Sequence, residues 1–326
     1  MVKEELLKRV NEKLQEFGKL LFLTKTGSHL YGTNTPESDE DFVGVFLGNP
    51  EYYIGIKNVK EIDCSIKDKD ESGKNTKDAV DIKVYELRQF LKLAGDVNPN
   101  IVELLFAKGK DVVVFNTPEF EEIQNNYHLF INRRVFDSFQ GYARQQMKKG
   151  ISKAENLSEL KGFKNTLLTF NSDRTLAEFR VDLEKHGYKV DDKNIYLKNL
   201  TFPLNYFVKK VEKMVEEKLQ MTSHRAKIWE KHGYDTKFFM HLFRLLNEGE
   251  DLISKGKLEF PVREKEFLLD VRKGKFSLEE LQKEAEKRFE RFVAHDREKL
   301  PKTANWNEIE KLLMKIVKKN VCNFSF

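Results

Sequence analysis

The chain has 326 residues, of which 40% are hydrophobic and 34% charged, a globular composition long enough for two separate cores. No apolar run approaches the length that spans a bilayer, and the charged start Met1-Val2-Lys3-Glu4-Glu5 is no signal peptide. The two cysteines, Cys64 and Cys322, make no disulfide framework, so the cytoplasm is the expected compartment; a net charge of +5 suits a polyanionic partner without requiring one.

Apolar residues at Val2, Leu6, Leu7, Val10, Leu14 and Phe17 have helical spacing, so an amphipathic helix is expected over 2–17. The run Leu20 to Leu23 reads as a central strand that ends at Thr24-Lys25-Thr26-Gly27, with Ser28 as the N-cap of a short helix to about Gly32. Thr33 to Ser38 is turn chemistry, Phe42 to Leu47 a second strand, and Tyr52 to Ile56 and Val59 to Ile66 further strands. A polar loop over 67–78 precedes the alternating strand Val80 to Tyr85. Helices are expected over Glu86 to Ala94 and, opened by Asn98-Pro99-Asn100, over Ile101 to Phe106; Asp111 to Phe115 is a last short strand and Thr117-Pro118-Glu119 a helix start. From about Asn125 the pattern is nearly all helical, with an irregular charged stretch from Lys149 to about Leu200. The expectation is an α+β fold: a mixed-sheet domain over 1–125 and a helical domain over 126–326 that closes a cleft.

The chemistry concentrates at Gly27-Ser28 and Ser38-Asp39-Glu40-Asp41-Phe42. Residues i and i+2 of a strand face the same side, so Asp39 and Asp41 converge while Glu40 points away. Such a pair suits Mg²⁺, or Mn²⁺, which keeps waters and takes its other ligands from substrate phosphates. A Gly-Ser step between strand and helix offers backbone N–H groups and the positive end of a helix dipole to the terminal phosphates of a nucleoside triphosphate. The phosphate-binding P-loop motif is excluded, because Thr33-Asn34 stands where it requires a lysine. Asp-x-Asp alone also serves nucleotide-sugar glycosyltransferases; the order strand, Gly-Ser, short helix, loop, acidic strand favours nucleotidyl transfer.

Two-metal nucleotidyl transfer needs a further carboxylate on a neighbouring strand, able to take a proton from the attacking hydroxyl. Asp81, opening an alternating strand, is the candidate, with Asp78 and Glu86 as runners-up. Further along, Asp235 or Thr236 can cap a helix to about Asn247, on which Lys237, His241 and Arg244 fall at i, i+4 and i+7 as one basic stripe. Its functional reading is phosphate binding and its plain reading a solvated face. His29 reads as a packing or orienting residue of the turn. The basic segment Tyr142 to Lys149 suits an RNA-facing wall or ordinary surface alike.

Gly27-Ser28-His29-Leu30-Tyr31-Gly32 followed by Ser38-Asp39-Glu40-Asp41-Phe42-Val43-Gly44-Val45 resembles the bacterial and phage nucleotidyltransferases of the DNA polymerase β superfamily that are associated with RNA-ligase repair operons. Tyr85 to Phe90, Asn98-Pro99-Asn100, Glu103 to Phe106, Gly233 to Lys237 and His241 to Leu246 carry the resemblance on; the stretch from about Lys153 to Lys227 adds nothing to it. It implies a metal-dependent transfer of a nucleotide from a triphosphate, with RNA repair as the setting and an RNA end as acceptor. Nucleotidylation of a protein or small molecule, and a catalytically degenerate binding module, are the other readings of the same residues.

Overall fold

The computed structural model describes residues 3–35, 38–66, 80–169, 175–197, 200–205 and 208–321. Asp78, the remainder of the polar loop and Cys322 lie outside these. In chain order the elements begin α1 (Lys3–Leu14), β1 (Gly18–Lys25), α2 (Ser28–Tyr31), β2 (Asp41–Gly48), α3 (Glu51–Ile54), β3 (Glu61–Asp63), β4 (Asp81–Glu86) and α4 (Leu87–Gly95). They continue with α5 (Pro99–Val102), β5 (Val113–Asn116), α6 (Pro118–Asn125), α7 (Arg134–Leu168), α8 (Leu176–Lys185), β6 (Lys189–Val190), β7 (Asn194–Leu197), β8 (Leu200–Pro203) and α9 (Val208–His232). The last four are α10 (Thr236–Lys255), α11 (Lys265–Arg272), α12 (Leu278–Val293) and α13 (Trp306–Val321).

The chain divides into two compact units, each assembled from separated stretches. The first comprises Met1–Tyr142, Arg244–Leu269 and Lys287–Phe326; the second comprises Ala143–Phe243 and Asp270–Glu286. These units do not part at Asn125, because residues 244–269 and 287–326 return to the N-terminal unit.

Among the described residues of the first unit, five strands make one mixed sheet in the order β3-β4-β2-β1-β5. Only β2 and β4 are parallel; β1 runs antiparallel to both β2 and β5, and β3 to β4. Helix α1 buries Leu6, Val10 and Leu14, one per turn, against Leu20, Leu23, Phe42, Phe46, Ile82 and Val84. Since strand neighbours alternate between faces, Asp41 and Val43 on β2 and Asp81 and Lys83 on β4 are directed to the opposite face. Part of that face is closed by the stacked rings of Phe22 and Phe120, with centroids 4.2 Å apart, and by Phe90 beside them.

Local chemistry sets the helix boundaries. Glu86, Asn98 and Thr117 cap α4, α5 and α6 by accepting from the backbone N–H groups of Arg88, Asn100 and Phe120. Residues 52–56 are not a strand: Pro50 enters a helical conformation, and Tyr53 and Ile54 donate back to its carbonyl to close the single turn α3. In the second unit α7 runs on to Leu168, and the stretch expected to be irregular contains α8 and most of a three-stranded antiparallel sheet, β6-β7-β8. Its core holds Phe163, Phe179, Leu183, Ile195, Leu197, Phe202 and Val211. Strands of two to four residues are too short for a period-two pattern to emerge from the sequence.

Candidate active site

The site begins where β1 ends. The Thr26 N–H donates to the Asp41 carbonyl at 2.8 Å, which ties the loop after β1 to the start of β2. Gly27 then adopts φ 63°, ψ −140°, a conformation open only to glycine at low cost, and a Cβ there would stand 3.6 Å from Asp41 Oδ2. Gly27, not Ser28, is the N-cap of α2, and Ser28 is its first residue. With a single turn, α2 has little macrodipole, so any anion contact here depends on individual N–H groups and the Ser28 hydroxyl. The turn closes at Gly32, left-handed at φ 71°, where a Cβ would meet Pro261 Cβ at 2.7 Å.

Asp41 and Asp81 open adjacent parallel strands in register, followed by the pairs Phe42–Ile82 and Val43–Lys83. Both aspartates are exposed. They line one groove of about 440 Å³ with Thr26, Val43, Asp63, Ser65 and Lys83. Asp39 is exposed as well, two residues ahead of the strand, and is not among the lining residues. Glu40 turns elsewhere and pairs with Lys25. Partial burial raises the Glu40 carboxyl, but the bond and charge of Lys25 outweigh it and hold the group below its ordinary range.

Asp63 was not singled out by sequence reasoning. It pairs in register with Lys83, which places it on the groove face of β3. The signal was there in Ile62-Asp63-Cys64, a polar residue between two that pack toward α1, but the partner strand of β3 could not be read from spacing. Lys83 spans to Glu61 at 2.9 Å, and this bond raises its ammonium above the ordinary lysine range. Among the described residues no three His, Cys, Asp or Glu groups close into a ready-made ion cage.

Glu86, a runner-up for the third carboxylate, is only 2% exposed. It accepts from the Tyr53 hydroxyl and caps α4 at the Arg88 N–H, 2.8 Å away. Burial raises its carboxyl despite these donors. Its oxygens serve the fold.

The stripe on α10 is not one continuous face. Lys237 is exposed, His241 half-buried and Arg244 only 4% exposed. The Arg244 guanidinium is committed to Glu103 and Glu248, so the expected direct contact of Arg244 with phosphate gives way to a buried ion cluster. Glu103 and Glu248 already occupy its donor group. Asp235 does cap α10, accepting from the Lys237 N–H at 3.1 Å. On α7, Arg144, Lys148 and Lys149 are exposed. No described helix is long and apolar enough to cross a membrane.

Residues 2–166 match the sequence model of a family described as the RNA repair pathway DNA polymerase beta family. An uncharacterized 38.9 kDa protein of Enterobacteria phage T4 is 28% identical over 282 residues, covering 78% of this chain and 83% of the phage protein. A crystal structure of a nucleotidyltransferase-like protein from Exiguobacterium sibiricum aligns over 98% of this chain and 81% of its own at 8% identity, with a TM-score of 0.28, a likeness too loose to carry an argument.

Proposed function

The chain belongs to the RNA repair pathway DNA polymerase beta family, and on that premise we propose that it is a metal-dependent nucleotidyltransferase acting on RNA ends. It transfers a nucleoside monophosphate from a triphosphate to an acceptor hydroxyl. The acceptor oxygen bonds to the α-phosphorus, the bond from that phosphorus to the β-phosphate bridging oxygen breaks, and pyrophosphate leaves. The observation that supports this most is the in-register pair Asp41–Asp81 on the open sheet face, with Gly27 packed beside Asp41 Oδ2.

The proposed ion is Mg²⁺, with Mn²⁺ as a substitute. Exposed carboxylates without a closed cage fit an ion that keeps waters and takes part of its shell from substrate phosphate. Asp41 and Asp81 would hold it, with Asp39 ahead of the strand as a further ligand. When bound, such an ion neutralises phosphate charge and makes a coordinated hydroxyl more acidic. Asp81 accepts the proton of the attacking hydroxyl, a general-base role open to a solvent-facing carboxylate. Gly27 gives the triphosphate close access to the backbone, and the Ser28 N–H and hydroxyl donate to its terminal phosphates. No role is assigned to Lys237 or His241.

The test is incubation with each α-labelled triphosphate and Mg²⁺, with and without RNA, beside the Asp41→Asn variant. Label joined to RNA by the wild type alone is the expected result. Label on protein instead would overturn the RNA acceptor, and no transfer to anything would overturn the activity.

A further inference from the structure

Behind the Gly27–Ser28 turn the first unit buries a cluster of four polar side chains. Tyr31, the last residue of α2, donates its hydroxyl to Glu103 at 2.9 and 3.1 Å. Arg244 Nη1 donates to the same carboxylate and to Glu248, the latter at 2.8 and 3.0 Å. The guanidinium carbon also lies 4.2 Å from the Tyr31 ring centroid, a cation–π contact. Tyr31 and Arg244 are each 4% exposed, Glu103 1% and Glu248 2%. The Tyr31 carbonyl accepts from the Val262 N–H at 3.2 Å, and Gly32 packs on Pro261.

A single helical turn cannot fix its own position, since its few internal bonds barely offset the order they impose. Its internal bonds include Tyr31 N–H to Gly27 and Thr33 N–H to Ser28, at 3.0 and 2.9 Å, and Gly32 N–H to Ser28. Its placement is therefore set from outside, and the most directional outside contacts are those of Tyr31. Seven residues of chain could not do this alone: Glu103 comes from the segment after α5 and Arg244 from α10.

We propose that Arg244 is a positioning residue of the nucleotide site: with Glu103 it clamps Tyr31, and through Tyr31 it sets the Gly27–Ser28 turn against Asp41. Arg244 itself touches no substrate. The inference rests on the reading of that turn as the triphosphate-binding element, and it adds a residue that acts through two others.

Tyr31→Phe deletes the hydroxyl and keeps the ring, and Arg244→Lys keeps charge but not the planar fork. Two readouts are needed. Amide hydrogen exchange on the unliganded protein should quicken about tenfold or more at Tyr31 and Thr33, with Val45 and Val84 in the central strands unchanged. In nucleotidyl transfer, the KM for the triphosphate should rise roughly fivefold or more while kcat stays within about twofold. Unchanged exchange at Tyr31 and Thr33 in folded Tyr31→Phe protein overturns the clamp, as does equal quickening through β2 and β4. Quickened exchange with an unmoved KM makes the cluster merely structural and overturns the positioning role. A wild type that transfers no nucleotide sinks the proposed activity and with it the role at a nucleotide site, whereas the exchange arm separately decides whether Tyr31 is clamped. Should Arg244→Lys fail to fold, Tyr31→Phe carries both readouts.

Discussion

Asp41 and Asp81 are the first residues of β2 and β4 and face each other in register across the parallel pairing of these strands. Neighbouring strands lie about 4.8 Å apart, so two carboxylates so placed repel unless a cation or a donor comes between them. Both stand in the open groove rather than in the core. Two exposed carboxylates side by side at the end of a sheet suit the holding of a cation.

Asp41→Asn and Asp81→Asn should each abolish nucleotidyl transfer and leave stability within about 0.5 kcal/mol of wild type, as exposed substitutions without packing usually do. Label transfer and urea unfolding measured on the same preparations check both halves. Full activity in either variant would remove that residue from the metal site.

Glu86→Ala should behave in the opposite way. It removes the cap of α4 and leaves the half-buried Tyr53 hydroxyl without its acceptor, a loss of about 1–3 kcal/mol. Below its melting transition the variant should keep near wild-type turnover. Abolished transfer in folded Glu86→Ala would restore Glu86 as a site carboxylate.

The sequence and the structure agree where one short-range rule decides. Alternation predicted β4, with Asp81 at its start, and the apolar spacing that includes Leu6, Val10 and Leu14 predicted α1. The groove position of Asp63 and the structural role of Glu86 were illegible for a shared reason: whether a strand-end carboxylate faces a groove or a neighbouring hydroxyl depends on the adjacent strand and helix, which local spacing does not specify. Arg244 failed similarly. Helical spacing put it on a stripe with Lys237 and His241; its partner Glu248 stands at i+4 on the same helix, but Glu103 lies 141 residues away in sequence. A cation on the buried side of a helix does call for an anion, and here the anion is the protein's own.

The Arg244 cluster should make stability depend on pH. Burial pushes the Glu248 carboxyl up to about 8, ahead of the opposing pull of Arg244 and with a further upward push from Glu103 and Asp251. Glu103 is raised by burial as well, and Tyr31 faces both from α2. In the unfolded chain a glutamate titrates near pH 4.3. Between about 4.3 and 8 the folded state thus binds more protons than the unfolded one, so stability falls as pH rises through this window and levels off above it. Urea midpoints at pH 5.5 and 8.5 should show that fall in the wild type and a smaller one in Glu248→Gln. An equal fall in both would mean that Glu248 does not carry the proton.

Gly27 should tolerate no side chain. Its φ of 63° with ψ of −140° lies outside the regions L-residues adopt, and holding a non-glycine there costs on the order of 1–3 kcal/mol. Gly27→Ala should therefore relax the turn away from Asp41 and weaken triphosphate binding, read by equilibrium titration, with a smaller effect on the melting temperature than on affinity. Unaltered affinity would separate the turn from the triphosphate.

The RNA acceptor is tested by salt. An RNA acceptor brings a row of phosphates for cationic surface to meet, and the chain carries a net +5, with Arg144, Lys148 and Lys149 exposed on α7. Each phosphate neutralised on a single strand releases condensed counterions, giving a log–log slope of about −0.7 per contact. Several contacts together make binding that is measurable at low salt and largely lost by roughly 0.2 M. Replacing Lys148 and Lys149 with alanine should then flatten the slope by about 1.4, two contacts' worth, without changing triphosphate affinity. A small-molecule acceptor presents few phosphates and would give a much shallower dependence. Filter binding of a short single-stranded RNA across a salt series measures the slope directly. A flat slope, or no binding at low salt, would turn the search for the acceptor away from RNA.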